Sequence, residues 1–231
     1  RKNHRWVGVP GTVAGFVLAH EQFGTLPWED LVMPSVRLAE DGFVLKSLAQ
    51  GLNRAVERSE NDEFKRVYGK GGGTQLWQAS DRLVLSDLGS TLRRIARWGN
   101  DGFYVGETAD LLVTEMVRGD GYITQNDLSS YAAVIREPIR TTFRGNEIFS
   151  APPPSSGGIA LTIMLGILEN FDLKSKGRWA PETVHLIIES MRRAYADRAR
   201  HLGDSDFVEI PGHLTTKGYA QIGRASCRER V

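Results

Sequence analysis

Pro152-Pro153-Pro154-Ser155-Ser156-Gly157-Gly158 runs directly into Ile159-Ala160-Leu161-Thr162-Ile163-Met164-Leu165-Gly166-Ile167-Leu168-Glu169-Asn170, and this stretch decides how the fold is read. The prolines fix φ and hold the approach extended, and the serines can cap a helix. The two glycines let the backbone come close to whatever the helix meets. From Ile159 to Asn170 the pattern is apolar nearly all round, which predicts a helix covered on every side. Its most apolar part, Ile159 to Leu168, is half of the roughly 20 residues that a membrane-spanning helix needs. The free amides at the helix start are suited both to tight packing and to receiving an anion, and both readings stay open.

Working outward, the residues before this stretch change character. Ile139, Thr141, Thr142 and Phe143, then Arg144-Gly145-Asn146, then Ile148 and Phe149 predict two strands joined by a turn. Beyond it, Pro181 to about Leu202 predicts a long amphipathic helix with Val184, Ile187, Ile188, Met191 and Tyr195 on its apolar face. The N-terminal half reads as short helices with clear stops. Thr12 caps one running to Phe23 before Gly24, and Thr25 with Pro27 opens another running to Asp41 before Gly42. Arg58 to Gly73 shows no periodic apolar face and is expected to be a surface connection ending in a mobile glycine loop. Helices resume near Ser86 and at Glu107, the latter stopping at Arg118-Gly119. The pattern is α+β and mainly helical.

With 41% apolar residues in 231, the chain can bury one large core or two small ones. Lys and Arg number 29 against 28 Asp and Glu; the scattered charges leave no footprint for nucleic acid. The single cysteine, Cys227, sits in Ile222–Val231, IGRASCRERV, which departs in character from the rest and looks like translated sequencing adapter. The expected organisation is therefore one partial domain over residues 1–221 and a foreign tail over 222–231. Arg1 to Trp6 is basic with no apolar run behind it, so the natural start is expected upstream.

Local chemistry is sparse. His20-Glu21-Gln22-Phe23-Gly24 begins like a zinc-protease helix, but Gly24 stands where the second histidine should be. Gly69-Lys70-Gly71-Gly72-Gly73 lacks the Ser or Thr that a phosphate loop places after its lysine. No Gly-x-Ser-x-Gly elbow and no Ser-x-x-Lys pair occurs. Asp197, Asp204, Asp206 and Glu209 admit two readings, a cation site or a helix end salted by Arg193, Arg198 and Arg200.

Taken together and in order, Pro10-Gly11-Thr12-Val13-Ala14-Gly15, Pro152 to Gly158, Glu169-Asn170-Phe171-Asp172, Tyr195-Ala196-Asp197-Arg198 and Leu202-Gly203-Asp204 make the chain resemble the large subunit of gamma-glutamyltranspeptidases, from about Gly8 to Gln221. The resemblance implies an α+β N-terminal-nucleophile (Ntn) hydrolase with an αββα sandwich, this chain being the mainly helical large-subunit part. It implies a precursor that cleaves itself, after which the new N-terminal Thr of the small subunit attacks the γ-glutamyl amide of glutathione. The Thr α-amine then acts as its general base, so no histidine is required.

The implied partners are the chain's own small subunit, glutathione and γ-glutamyl acceptors; no metal or organic cofactor and no nucleic acid is implied. The family's substrate-clamping arginine is expected upstream of Pro10-Gly11-Thr12, with Arg1 and Arg5 no substitutes, and its nucleophilic Thr beyond the large subunit. No catalytic, cofactor-binding or metal residue is therefore assigned within these 231 positions. Thr215-Thr216 is read as capping threonines. Relatives that deacylate glutaryl or cephalosporin side chains give an alternative activity, and a non-catalytic binding relative gives an alternative class. Location in the periplasm or medium is implied by the resemblance alone. The isolated chain is expected to be inactive and poorly soluble.

Overall fold

The computed structural model describes residues 3–221; the tail Ile222–Val231, read above as foreign, lies outside them. The chain divides into two compact units, Arg1–Val134 and Ile135–Val231.

In the first unit, α1 (Thr12–Phe23) and α2 (Trp28–Glu40) lie where the Gly and Pro punctuation places them. Gly11 and Pro27 hold the N-cap positions, so Thr12 is the first helical residue and not the cap. A Cβ on Gly24 would overlap both the ring and the carbonyl of His20, whereas Gly42 takes a φ of +72° that favours glycine. β1 (Phe43–Val44) pairs antiparallel with β2 (Arg82–Leu83), enclosing α3 (Leu48–Arg58) and α4 (Asp62–Tyr68) between them in sequence.

Helix α4 corrects the expectation of a featureless connection over 58–73. The Asn61 side chain caps it, accepting from Phe64 N at 3.0 Å, and Asp62 and Glu63 fill the first turn, where negative charge suits the helix dipole. Arg66 then joins Glu63 at 2.6 Å to Asp87 at 2.7 Å. The glycine run that follows is also not a loose loop. Lys70 forms an ion pair with Asp81 at 2.6 Å and bridges its backbone to Gln75.

α5 (Ser86–Trp98) lies along α2, joined by the Arg93–Glu40 ion pair. α6 (Asp101–Tyr104), α7 (Glu107–Arg118) and α8 (Gln125–Ser129) complete the unit. Ala14, Tyr104, Ala109, Met116, Ile123 and Leu128 form the buried cluster that ties α1 to α6, α7 and α8.

On α7, Glu115 accepts from Arg118 at 2.6 Å and meets His4 Nε2 at 2.7 Å. These hydrogen bonds, Arg118's first, hold its carboxyl at about 2, below the ordinary 4.5. A depressed carboxylate contributes stability above its unfolded pKa and loses it as the pH falls through its folded one. Glu115→Gln should therefore flatten the loss of stability between about pH 4.5 and about pH 2, by a modest amount because the site is half exposed and screened. Denaturant midpoints measured across that window check this; parallel curves for the two proteins would refute it.

In the second unit β3 (Ile139–Phe143) and β4 (Asn146–Ser150) pair antiparallel, from Ile139↔Ser150 to Phe143↔Asn146. Arg144 and Gly145 both take positive φ, +50° and +81°, as a two-residue hairpin turn requires. α9 (Gly157–Leu168) starts two residues before the expected Ile159, and α10 (Leu173–Lys176) and α11 (Pro181–His201) follow. Buried Ile159, Ala160, Ile163 and Ile167 of α9 pack with Ala194 of α11, Leu214 and Ala220.

The expected inner face of α11 is corrected. Thr183, Leu186, Glu189, Ser190 and Ala194 are its buried residues, while Ile188, Met191 and Tyr195 are exposed. Small side chains at Ser190 and Ala194, both 0% exposed, let α11 approach α9 closely, and that close fit outweighs the count of apolar residues on the other side.

Candidate functional site

β4 ends at Ser150, and the prolines carry the chain to the start of α9. Ser155 N donates to Pro152 O at 3.1 Å, and Gly157 N to Ser155 Oγ at 3.3 Å. A Cβ on Gly158 would stand 2.3 Å from Ala151 O and 3.2 Å from the Ser150 side chain, so the second glycine is required by the return of the helix onto its own strand. Arg198 of α11 donates from Nε to Ser156 Oγ at 2.8 Å, and its guanidinium lies 5.9 Å from the Tyr195 ring centre. This segment is thus a half-exposed junction, buried at Gly158 and held by its own turn contacts and by a guanidinium from α11.

The far end of α9 is fastened as firmly. Glu169 accepts from Arg144 N at 2.7 Å and pairs with Lys217; Lys217 chiefly, then the Arg144 amide, holds the Glu169 carboxyl below its usual range. Asn170 Nδ2 donates to Gly166 O at 2.8 Å and Ile167 O at 3.1 Å, closing the last turn. Asp172 caps α10 by accepting from Ser175 N at 3.2 Å. Asp197 accepts from Tyr219 OH at 3.0 Å; burial, then this bond, pushes the Tyr219 hydroxyl pKa up.

The carboxylates near the end of α11 do not converge. Asp206 meets Arg136 at 2.7 Å, Asp204 accepts from Asp206 N at 3.0 Å, and Asp197 is taken by Tyr219. Among the described residues no group of three His, Cys, Asp or Glu is placed to hold a metal ion. The salting arginine is Arg136, from ahead of β3, rather than Arg193, Arg198 or Arg200. Nothing in the local sequence announces a pair so distant in sequence.

In the first unit the Pro10-Gly11-Thr12 turn rests on two tyrosines. Tyr104 OH donates to Pro10 O at 2.6 Å and receives Ala14 N at 3.2 Å, while a Cβ on Gly11 would stand 2.2 Å from Tyr131 OH. Tyr104→Phe leaves a carbonyl and a first-turn amide without partners, and should cost about 1–3 kcal/mol. Chemical denaturation checks this; an unchanged midpoint would show that water replaces the hydroxyl.

His20 meets Leu26 O at 2.8 Å and packs edge-on to Trp28. Arg5 pairs with Asp120 at 2.8 Å and covers the Tyr122 ring. Thr215 Oγ1 donates to Gly212 O, and Thr216 Oγ1 donates to His213 O while accepting from Tyr219 N at 3.3 Å; both threonines serve local turns. The described motif residues thus hold backbone turns and helix ends in place.

The family model for gamma-glutamyltranspeptidase matches residues 1–230. A glutathione hydrolase proenzyme of Pseudomonas sp. strain A14 is 43% identical over 226 residues, 95% of this chain and 39% of that protein. An acylase ACY 1 proenzyme of Pseudomonas sp. strain SE83 is 39% identical over 95% of this chain and 39% of its own length. The chain therefore spans about two fifths of these curated relatives. The crystal structure of Helicobacter pylori gamma-glutamyltranspeptidase superposes with a TM-score of 0.90 at 37% identity, covering 98% of this chain and 66% of that one. Sequence and fold agree over nearly the whole length: the chain belongs to the gamma-glutamyltranspeptidase family, with its α+β fold and a mainly helical share of it.

Proposed function

We propose that these residues are the large-subunit scaffold of a precursor that cleaves itself and becomes a glutathione hydrolase and γ-glutamyltransferase. The observation that carries this reading is the 43% identity, over 95% of the chain, to a glutathione hydrolase proenzyme. In the reaction, the hydroxyl of an N-terminal Thr on the small subunit adds to the γ-glutamyl carbonyl, with its own α-amine taking the proton. The amide nitrogen leaves as the amine, and water or an amino acid or peptide amine then takes the γ-glutamyl group from the ester, restoring the hydroxyl.

A processed small subunit as partner is supported by proportion. Nearly the same span fills 66% of the crystallised relative's chain but 39% of a proenzyme, as a precursor cut beyond this segment would give. A second reading, acylase activity on a glutaryl or cephalosporin side chain, is favoured by the 39% identity to an acylase proenzyme. Export to the periplasm or medium belongs to the proposal, and fractionation of cells expressing the whole gene tests it.

The decisive experiment expresses the full-length gene. Two chains, the second beginning with Thr and releasing p-nitroaniline from γ-glutamyl-p-nitroanilide, is the expected result. Release from a glutaryl anilide instead favours the acylase reading, and an uncut inert product favours a binding protein.

A further inference from the structure

The segment that leads to the Pro10-Gly11-Thr12 turn is strapped to α7 before it gets there. His4 N donates to Gly119 O at 2.8 Å, and His4 Nε2 meets Glu115 Oε1 at 2.7 Å. One residue on, Arg5 donates to Asp120 Oδ1 at 2.9 Å and covers the Tyr122 ring. Two successive side chains thus grip the end of α7 and the loop behind it, and Val9 then packs against the buried cluster of this unit.

The imidazole sits in a notch made for it. The three atoms nearest a Cβ placed on Gly119 all belong to the His4 ring, with Cδ2 at 2.0 Å and Nε2 at 2.2 Å, and a Cβ on Gly121 would stand 3.0 Å from His4 Cβ. Neither glycine takes a positive φ, and Gly119 lies at φ −98° and ψ 12°, a backbone open to other residues. What a side chain at Gly119 would take away is therefore room for the ring.

The charges around the ring divide cleanly. Among the described residues Glu115 is the one carboxylate within ion-pair distance of it. Arg118 holds the same carboxylate at 2.6 Å, and Glu63 of α4 lies within electrostatic reach of both. The Glu115 carboxyl, held at about 2, stays ionised throughout the range between about pH 5 and pH 8 in which imidazole changes charge. The charge that varies at this contact is that of His4.

We propose that His4 is a pH-sensitive latch, closed on Glu115 when its imidazole is protonated and loosened when it is not, so that residues 4–9 are held to α7 more firmly in acid than in base. A neutral ring can still donate from Nε2, but the charge-assisted bond is the stronger one. Its contribution is present below the titration of the imidazole and lost as the pH rises through it.

The test is hydrogen exchange on the full-length protein at about pH 5.5 and about pH 8.5, either side of imidazole titration, with rates corrected for the intrinsic pH dependence of amide exchange. Wild type, His4→Gln and Glu115→Gln are compared over residues 4–9, where the His4 amide donates to Gly119 O and the Val7 amide to His4 O. Wild-type protection should fall about 1.5- to 5-fold from the lower pH to the higher, the size expected of a half-exposed ion pair, and the fall should shrink in about 1 M salt. Neither variant should show the fall: glutamine keeps a donor at position 4 but cannot charge, and Glu115→Gln leaves the histidine without its anion. Equal wild-type protection at both pH values, an undiminished fall in either variant, or a fall that salt leaves unchanged would each overturn the latch.

Discussion

Gly158→Ala in the full-length precursor is expected to lower stability by about 1–3 kcal/mol, whereas Gly157→Ala beside it should be neutral or raise stability by up to about 1 kcal/mol. Both residues open α9, so the gain in helix propensity from alanine applies to each. The surroundings separate them. A Cβ on Gly158 meets a backbone oxygen, Ala151 O, at 2.3 Å, and the strand behind that oxygen cannot yield as a flexible side chain would. At Gly157 the nearest atom is the Ser155 hydroxyl at 3.4 Å, an ordinary contact. The two mutations should shift the melting temperature in opposite directions, or the first alone should lower it. Equal shifts of the same sign would show that the close return of α9 onto β4 does not limit this position.

The second large effect concerns turnover. A purified polypeptide of only these 231 residues should release no p-nitroaniline from γ-glutamyl-p-nitroanilide. The proposed chemistry needs a threonine whose α-amine is free, and this polypeptide begins with Arg1. The one threonine pair near its C-terminal end is engaged in local turns: Thr215 and Thr216 both bond to carbonyls three residues back. Release above the rate of buffer alone, retained after Thr215→Ala and Thr216→Ala, would place a nucleophile elsewhere in these residues and overturn the assignment.

Much of the architecture was legible because glycine and proline mark ends by a local mechanism. Gly42 through its positive φ and Pro181 at the first turn of α11 mark helix boundaries by one residue's own backbone limits, and Arg144-Gly145 does the same for the hairpin, while Gly24 follows α1 where a Cβ would meet His20. Helix α4 was missed because its apolar positions, Phe64, Val67 and Tyr68, make a single turn too short to register as a period, and its start is set by the Asn61 cap. The orientation of α11 was misread for a deeper reason. Periodicity counts apolar side chains, but the face turned inward was chosen by how closely two helices can approach, and Ser190 and Ala194 decide that. The motif contacts were the least legible part. Arg136 with Asp206 and Tyr104 with Pro10 join residues some 70 to 94 positions apart, and no local spacing encodes them.

Glu169 has a further consequence for how this unit breathes. Its two oxygens accept from the turn of the hairpin at Arg144 and from Lys217, and the same two residues reach across to Thr142 O and Phe171 O, so the carboxylate sits at the centre of the contacts that fasten three segments. Local openings of the native state set the rate at which backbone amides exchange with heavy water. With Glu169 in place, the hairpin turn and the Lys217 segment should open together with the end of α9. Without it the Lys217 bond to Thr142 O and the Arg144 bond to Phe171 O remain, so the three segments should still move together but open more often, while the Ile159–Ile167 core stays protected.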